Sequence, residues 1–145
     1  MNVGRSRLRN AKTGGNDLIV VLLKTAQADD ALRDHDTLSA LLTTGGGTAN
    51  VEANFTNYAR KVIPNASWSY TEDEVNNRAD ADMPDQTYTA AGGATNNTLV
   101  KALVCIDGAS DAVRIPVSAH DFTPTTDGSD LVLQVAAAGF YRSSD

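Results

Sequence analysis

Two stretches of the chain are apolar at both odd and even positions. Leu18-Ile19-Val20-Val21-Leu22-Leu23 follows the break Gly14-Gly15-Asn16. Leu99-Val100-Lys101-Ala102-Leu103-Val104-Cys105-Ile106 runs from Gly92-Gly93-Ala94-Thr95-Asn96-Asn97-Thr98 to Asp107-Gly108, with only Lys101 interrupting it. Runs of this length, rich in β-branched residues and bounded by Gly and Asx, predict strands covered on both faces. For residues 18–23 a short buried helix is the alternative that periodicity leaves open. The rest of the chain has to supply the two covers.

Asp36 predicts an N-cap for a helix over Thr37–Thr43, with Leu38, Leu41 and Leu42 as its core-facing stripe and Gly45-Gly46-Gly47 as its stop. Two turns of helix are stable only when such a stripe docks on a sheet. Residues 55–63 resume β character and end at Pro64. Ser67–Thr71, with Trp68 and Tyr70 on one face, and Arg78–Met83, with Ala79, Ala81 and Met83 inward, predict an antiparallel hairpin around the acidic turn Glu72-Asp73-Glu74. Gln86–Ala90 predicts another short strand. Val113, Ile115 and Val117 alternate with Arg114 and Pro116, and the proline marks an edge or a strand end. Ala119–Thr125 and Leu131–Val135 flank Thr126-Asp127-Gly128-Ser129-Asp130, a hairpin turn signal. The pattern is mainly all-β: an antiparallel β-sandwich of about eight short strands with one short helix and an extended N-terminal arm. It lacks the strand–helix rhythm of a parallel sheet.

Charge divides the chain in two. Over 145 residues the formal charge is −6, yet Arg5, Arg7, Arg9 and Lys12 all precede the first acid, Asp17. Residues 1–15 therefore read as a basic arm and 16–145 as one β-sandwich domain more acidic than the total suggests. Such a body repels phosphates, which argues against direct nucleic-acid binding. The arm's Arg5, Arg7, Arg9 and Lys12 are instead candidate contacts for an acidic partner surface. The single cysteine, Cys105, sits mid-strand as a small hydrophobe and has no disulfide partner. No segment approaches the ~18 apolar residues of a membrane span, and no apolar segment of the right length follows the first cations as a secretory signal requires. The expectation is a soluble protein made and kept inside a cell.

Candidate chemistry is sparse. His35 lies between Asp34 and Asp36, and His120 precedes Asp121, but sequence neighbours on a strand do not face each other. A Ser-His-Asp set is conceivable around His120 and Asp121, without the Gly-x-Ser-x-Gly turn that would present a nucleophile. Asp127, Ser129 and Asp130, or Asp80, Asp82 and Asp85, offer oxygens for Ca²⁺, but without the twelve-residue ligand loop they read as Asx turns. Gly45-Gly46-Gly47 and Gly92-Gly93 lack phosphate-loop spacing. Trp68, Tyr70, Tyr58 and Tyr88 compete between core packing and an aromatic platform for sugar. The sequence thus predicts no catalytic residue, no cofactor and no metal ligand.

A set of local motifs resembles small structural proteins of tailed bacteriophages. It comprises Gly92-Gly93-Ala94-Thr95-Asn96-Asn97-Thr98-Leu99 leading to Asp107, then Ile115-Pro116-Val117-Ser118-Ala119-His120-Asp121-Phe122, Thr126-Asp127-Gly128-Ser129-Asp130 and Ala137-Ala138-Gly139-Phe140. Asn57-Tyr58-Ala59-Arg60-Lys61 after a Gly-rich connector belongs with them. The likeness spans most of residues 17–142 and rests on turns and strands. It implies a non-enzymatic virion component, a decoration protein on the capsid surface that binds the major capsid protein or other virion proteins. Such a protein is made in the host cytoplasm, has neither nucleic-acid nor membrane partners, and self-associates on a repeating lattice. A minor tail or fibre protein is the alternative within that class, and a glycan-binding module the alternative outside it.

Overall fold

The computed structural model describes residues 3–144. Met1 and Asn2 of the expected arm, and Asp145 of the polar tail, lie outside the described residues. The two apolar runs are the centre of the molecule. Strand β1 (Leu18–Thr25) and strand β7 (Lys101–Ile106) pair antiparallel, from Leu18 opposite Ile106 to Leu23 opposite Lys101. On the far side of β7 lies β8 (Ile115–Asp121), which is a sheet edge and carries Pro116, as expected of a proline-bearing strand. The other edge of β1 is shared by β2 (Val51–Glu52) near Thr25 and β3 (Lys61–Ile63) near Leu18.

Alternation sends the two parities of this sheet into two separate cores. Ile19, Val21 and Leu23 of β1 join Leu103 and Cys105 of β7 against Leu32, Leu38 and Leu41. Those leucines belong to α2 (Asp29–Leu32) and α3 (Leu38–Gly47), so the helices cover one face. Leu18, Val20 and Leu22 join Ala102, Val104 and Ile106 on the opposite face, in a larger cluster with Trp68, Ala81, Met83, Tyr88 and Phe140. That second cover comes from the sheet of β4 (Ser69–Asp73), β5 (Arg78–Asp82) and β10 (Tyr141–Ser144), in the order β10-β5-β4, together with the pair β6 (Gln86–Tyr88) and β9 (Leu131–Leu133). The result is a β-rich, sandwich-like arrangement with three antiparallel sheets, three α-helices and one 3₁₀ turn (Asn65–Ser67) among the described residues.

Three local expectations are corrected. The first is the extended arm: Val3–Thr13 forms helix α1. Its Leu8 and Ala11, three residues apart and so on one helix face, are buried in the larger core. The apolar content of this stretch is too low to signal a helix from the sequence, and it is tertiary docking that holds it. The second concerns the capped helix. Thr37, not Asp36, is its N-cap, the Thr37 hydroxyl accepting from the N–H of Ala40 at 3.1 Å. The helical geometry breaks at Thr44, Gly45 and Gly46, where the glycine run was expected to end it. The third is the hairpin over 119–135, which does not form. β9 pairs with β6 instead, because the intervening turn is tied back to residues 90–91: Gly128 N–H donates to the Ala91 carbonyl, Ala91 N–H to that of Ser129, and Ala90 N–H to Asp130 Oδ1. The expected hairpin of 67–71 and 78–83 is present as β4–β5.

Candidate functional site

The four cations singled out in the sequence all lie on α1, and each is engaged with the chain's own body. Arg5 and Arg9 approach the same carboxylate oxygen of Glu72 on β4, at 3.5 and 3.1 Å. Arg7 pairs with Asp36 at 3.2 Å, which links α1 to the segment ahead of α3. The Lys12 ammonium donates to the carbonyls of Asn65 and Trp68 and stands 4.9 Å from the Trp68 ring centroid. Trp68 is only 2% exposed, and its indole N–H donates to the Asn16 carbonyl. Tyr88 is equally buried, and Tyr58 packs against Phe55 and Tyr88. The aromatic platform on which a glycan-binding reading depends is therefore not formed by these rings.

An extended polar array was invisible in the sequence because its members come from three separate segments, at 52, 58–60 and 107–114. Arg60, just ahead of β3, binds Glu52 of β2 through two N–H···O bonds of 2.7 Å, and binds Asp111 through bonds of 2.6 and 3.0 Å. Asp111 also accepts from Arg114 at 2.7 Å, and Arg114 in turn donates to Asp107 at 2.7 Å. Tyr58 donates its hydroxyl hydrogen to Glu52 while accepting from the Leu22 N–H. The same β7–β8 connection satisfies the first turn of α3, where the N–H groups of Leu38 and Ser39 donate to the carbonyls of Arg114 and Asp111. Charges thus alternate from β2 to the β7–β8 connection and fix the helix layer on the sheet. Paired forks of this kind specify geometry as well as adding attraction. The only signal available beforehand was Tyr58 and Arg60 within Asn57–Lys61, with no indication of their partners.

The array has a pH signature. Hydrogen bonds from Arg60 hold the Asp111 carboxyl at about 2, below its ordinary 3.8. A depressed acid stabilises the fold fully above its unfolded value and loses that contribution as pH falls through the folded one. The Asp111→Asn variant should therefore lose about 1–2 kcal/mol less than the parent between pH 5 and pH 2, after discounting for partial exposure. Urea titrations at the two pH values measure this. An unchanged acid loss would show that Asp111 is not held down by its arginines.

The two histidines are not paired with their acidic neighbours. His35 Nε2 lies 3.0 Å from Gln27 Oε1, and His120 Nε2 lies 3.0 Å from Ser118 Oγ on the same face of β8. Asp121 is on the opposite face, where its carboxylate and that of Asp29 receive the Lys101 ammonium. Cys105 is buried, which pushes its thiol up to about 12. Asp127 accepts from both the N–H and the hydroxyl of Ser129 and so closes a turn, whereas Asp85 accepts from the Val135 N–H, fifty residues away. Among the described residues, no group of three or more His, Cys, Asp or Glu side chains is placed to hold a metal ion. Nor is any helix there long and apolar enough to cross a membrane.

Two concavities flank the β8 edge. A groove of about 600 Å³ runs between β8 residues 116–119, α2, α3 and the start of α1, floored by Leu32, Leu41 and Leu103 and walled by Arg7, Arg33, Asp29 and Asp36. A smaller hollow of about 340 Å³ lies on the other side, where Phe122 and Phe140 meet Met83, Val132 and Val135 below His120. The turns that carry the resemblance are bonded to one another or to the residues just ahead of them. Gly92 N–H donates to the Thr56 carbonyl, Thr95 N–H to the Thr56 hydroxyl, Asn97 N–H to the Thr126 hydroxyl, and Asn57 Nδ2 to the Ala90 carbonyl. Nothing in this set brings a nucleophile, a base and a receptive pocket together; it is a hydrogen-bonded loop end beside an open sheet edge. Comparison with protein-family models, with curated proteins and with solved structures finds no match.

Proposed function

We propose that this chain is a non-enzymatic structural component of a tailed-bacteriophage particle, a decoration protein on the outer surface of the capsid. The reading begins from the resemblance of its turn motifs to such proteins. One structural observation supports it: the motif turns at 92–99 and 126–130 and the start of the motif at 57–61, with the residues just ahead of them (54–56 and 90–91), are hydrogen-bonded into one loop cluster. A chain that spends its Asn, Asp, Thr and Gly residues on fixing loops builds a rigid contact surface, and rigid surfaces bind with little ordering cost. In this reading the major capsid protein is the partner, contacted through the loop cluster and the β8 edge, and the acidic body faces away from the packaged nucleic acid.

The test is the number of copies on purified particles, read by quantitative gel against the major capsid protein. Copies in the hundreds, removed together with a loss of shell stability to heat or low salt, fit the decoration role. A handful of copies would move the protein to the tail. Its absence from particles would overturn the reading altogether.

A further inference from the structure

The larger groove is bounded by a strand with a neighbour on one side only. Among the described residues β8 pairs with β7 and with no other strand. Just beyond it, the Phe122 N–H donates to the Val100 carbonyl, so alternation turns the amides of Asp121 and Ala119 away from β7. Both residues are exposed. Pro116 lacks an N–H and the register shifts between Val104 and Cys105, which leaves Ser118–Asp121 as the stretch open to pairing. Successive side chains of a strand point to opposite faces, yet residues 116–119 all line the groove, so it follows the edge itself. Ala119, opposite Leu103, contributes only a methyl group there.

Two side chains on the groove wall have bonding capacity to spare. Asp29 already receives Lys101, and Asp36 receives Arg7. The Arg33 guanidinium, attracted to Asp29 at a distance, makes no hydrogen bond or ion pair among the described residues. His35 is oriented from behind. The Asn50 amide is fixed by the Gln27 N–H on its Oδ1 and by the Leu41 carbonyl on its Nδ2, and the same Nδ2 donates to Gln27 Oε1. Gln27 Oε1 is therefore an acceptor, and the 3.0 Å contact from His35 Nε2 is a donated N–H. In the neutral ring this leaves the lone pair on Nδ1, which has no partner among the described residues.

We propose that this groove takes an extended segment of a partner protein, added as a strand to β8. An apolar side chain of the segment lies on the floor of Leu32, Leu41 and Leu103, and an acidic one reaches Arg33. His35 Nδ1 accepts a hydrogen bond from the same segment. A free anion would satisfy Arg33 but neither the outward amides nor the leucine floor; a peptide strand answers all three. The inference rests on the contact role proposed above for the β8 edge and names what that edge receives.

A displayed library of random heptapeptides, selected on the full-length protein, tests it. Selected sequences should share an acidic residue at a fixed spacing from an apolar one. A capped, labelled peptide of that sequence, followed by fluorescence anisotropy, should bind about tenfold or more weakly to Ala119→Trp, which fills the groove, and to Arg33→Glu. Exchanging the peptide's acid for lysine should restore binding to Arg33→Glu. Strand addition also requires that N-methylation of alternate peptide amides abolish binding on one parity and spare it on the other. That measurement uses the native protein, so it decides even where a variant fails to fold. No selection above the level seen with Ala119→Trp, binding indifferent to Arg33→Glu, or equal effects of N-methylation on both parities overturns the proposal. So does a native chain that is dimeric by light scattering and monomeric as Ala119→Trp, because a second copy then fills the edge. A peptide screen can fail while the copy count on particles stands, and the reverse, so the two readings fall separately.

Discussion

Truncating Leu23 to alanine is expected to remove about 3 kcal/mol of unfolding free energy. Leu23 is fully buried on β1 in the smaller of the two cores, where it shares a cluster with only seven other buried residues. Together with the partly buried Ala26, Leu42 and Val100 they form the small apolar cluster between the sheet and α2 and α3, so the cavity cannot be refilled from a large neighbourhood. The cost combines lost transfer energy with the unfilled volume and falls within the range measured for leucine truncations in tight cores. Urea denaturation should show a lower midpoint with an unchanged slope. Val62→Ala, at a half-exposed site on β3, should stay within about 0.5 kcal/mol. A loss below about 1 kcal/mol at Leu23 would show that the helix layer is not packed as described.

Gly139→Ala should be at least as damaging, for a different reason. Gly139 has φ +85°, and a Cβ there would lie 2.2 Å from the carbonyl oxygen of Ala81. That carbonyl cannot retreat, because β5 is the central strand of its sheet, with Ala81 opposite Tyr70 on one side and Tyr141 on the other. Left-handed backbone alone costs of order 1–3 kcal/mol for a residue with a side chain, and the collision adds to it. Gly46→Ala separates the two terms. It shares the positive φ, at +69°, but a Cβ there would meet nothing within 4 Å. Its cost should be about 1 kcal/mol, against about 3 kcal/mol or more for Gly139→Ala. Equal costs at the two positions would remove the argument from collision.

Residues that act within their own segment were legible in the sequence. Leu18–Leu23 and Ala102–Ile106 announce strands buried on both faces because both parities are apolar, and the two cores confirm it residue by residue. Alternation at Arg78–Asp82 and the proline at 116 also carried their meaning locally. What escaped depends on distant partners. α1 exists because Glu72, Asn65 and Trp68, more than fifty positions onward, receive it. β9 pairs with β6 because Asp130 and Gly128 bond to residues 90–91, a preference no turn signal contains. Likewise, Arg60 gave no hint that Glu52 and Asp111 would converge on it. The four cations of the expected extended arm sit together on α1, and a count of charges could not reveal that the body itself supplies partners for them.

The marriage of β1 to β7 has a consequence for biosynthesis. Leu18–Leu23 leaves the ribosome before its central neighbour, Lys101–Ile106, which follows only after some eighty more residues have been added. During that interval a six-residue apolar segment of high β-propensity waits without its mate, the composition most prone to stick to other nascent chains. Closing such a long loop also makes folding slow, on the scale of milliseconds to seconds. Yield in a cell should therefore respond to holding chaperones and to lower temperature during expression, even though the finished molecule is well packed.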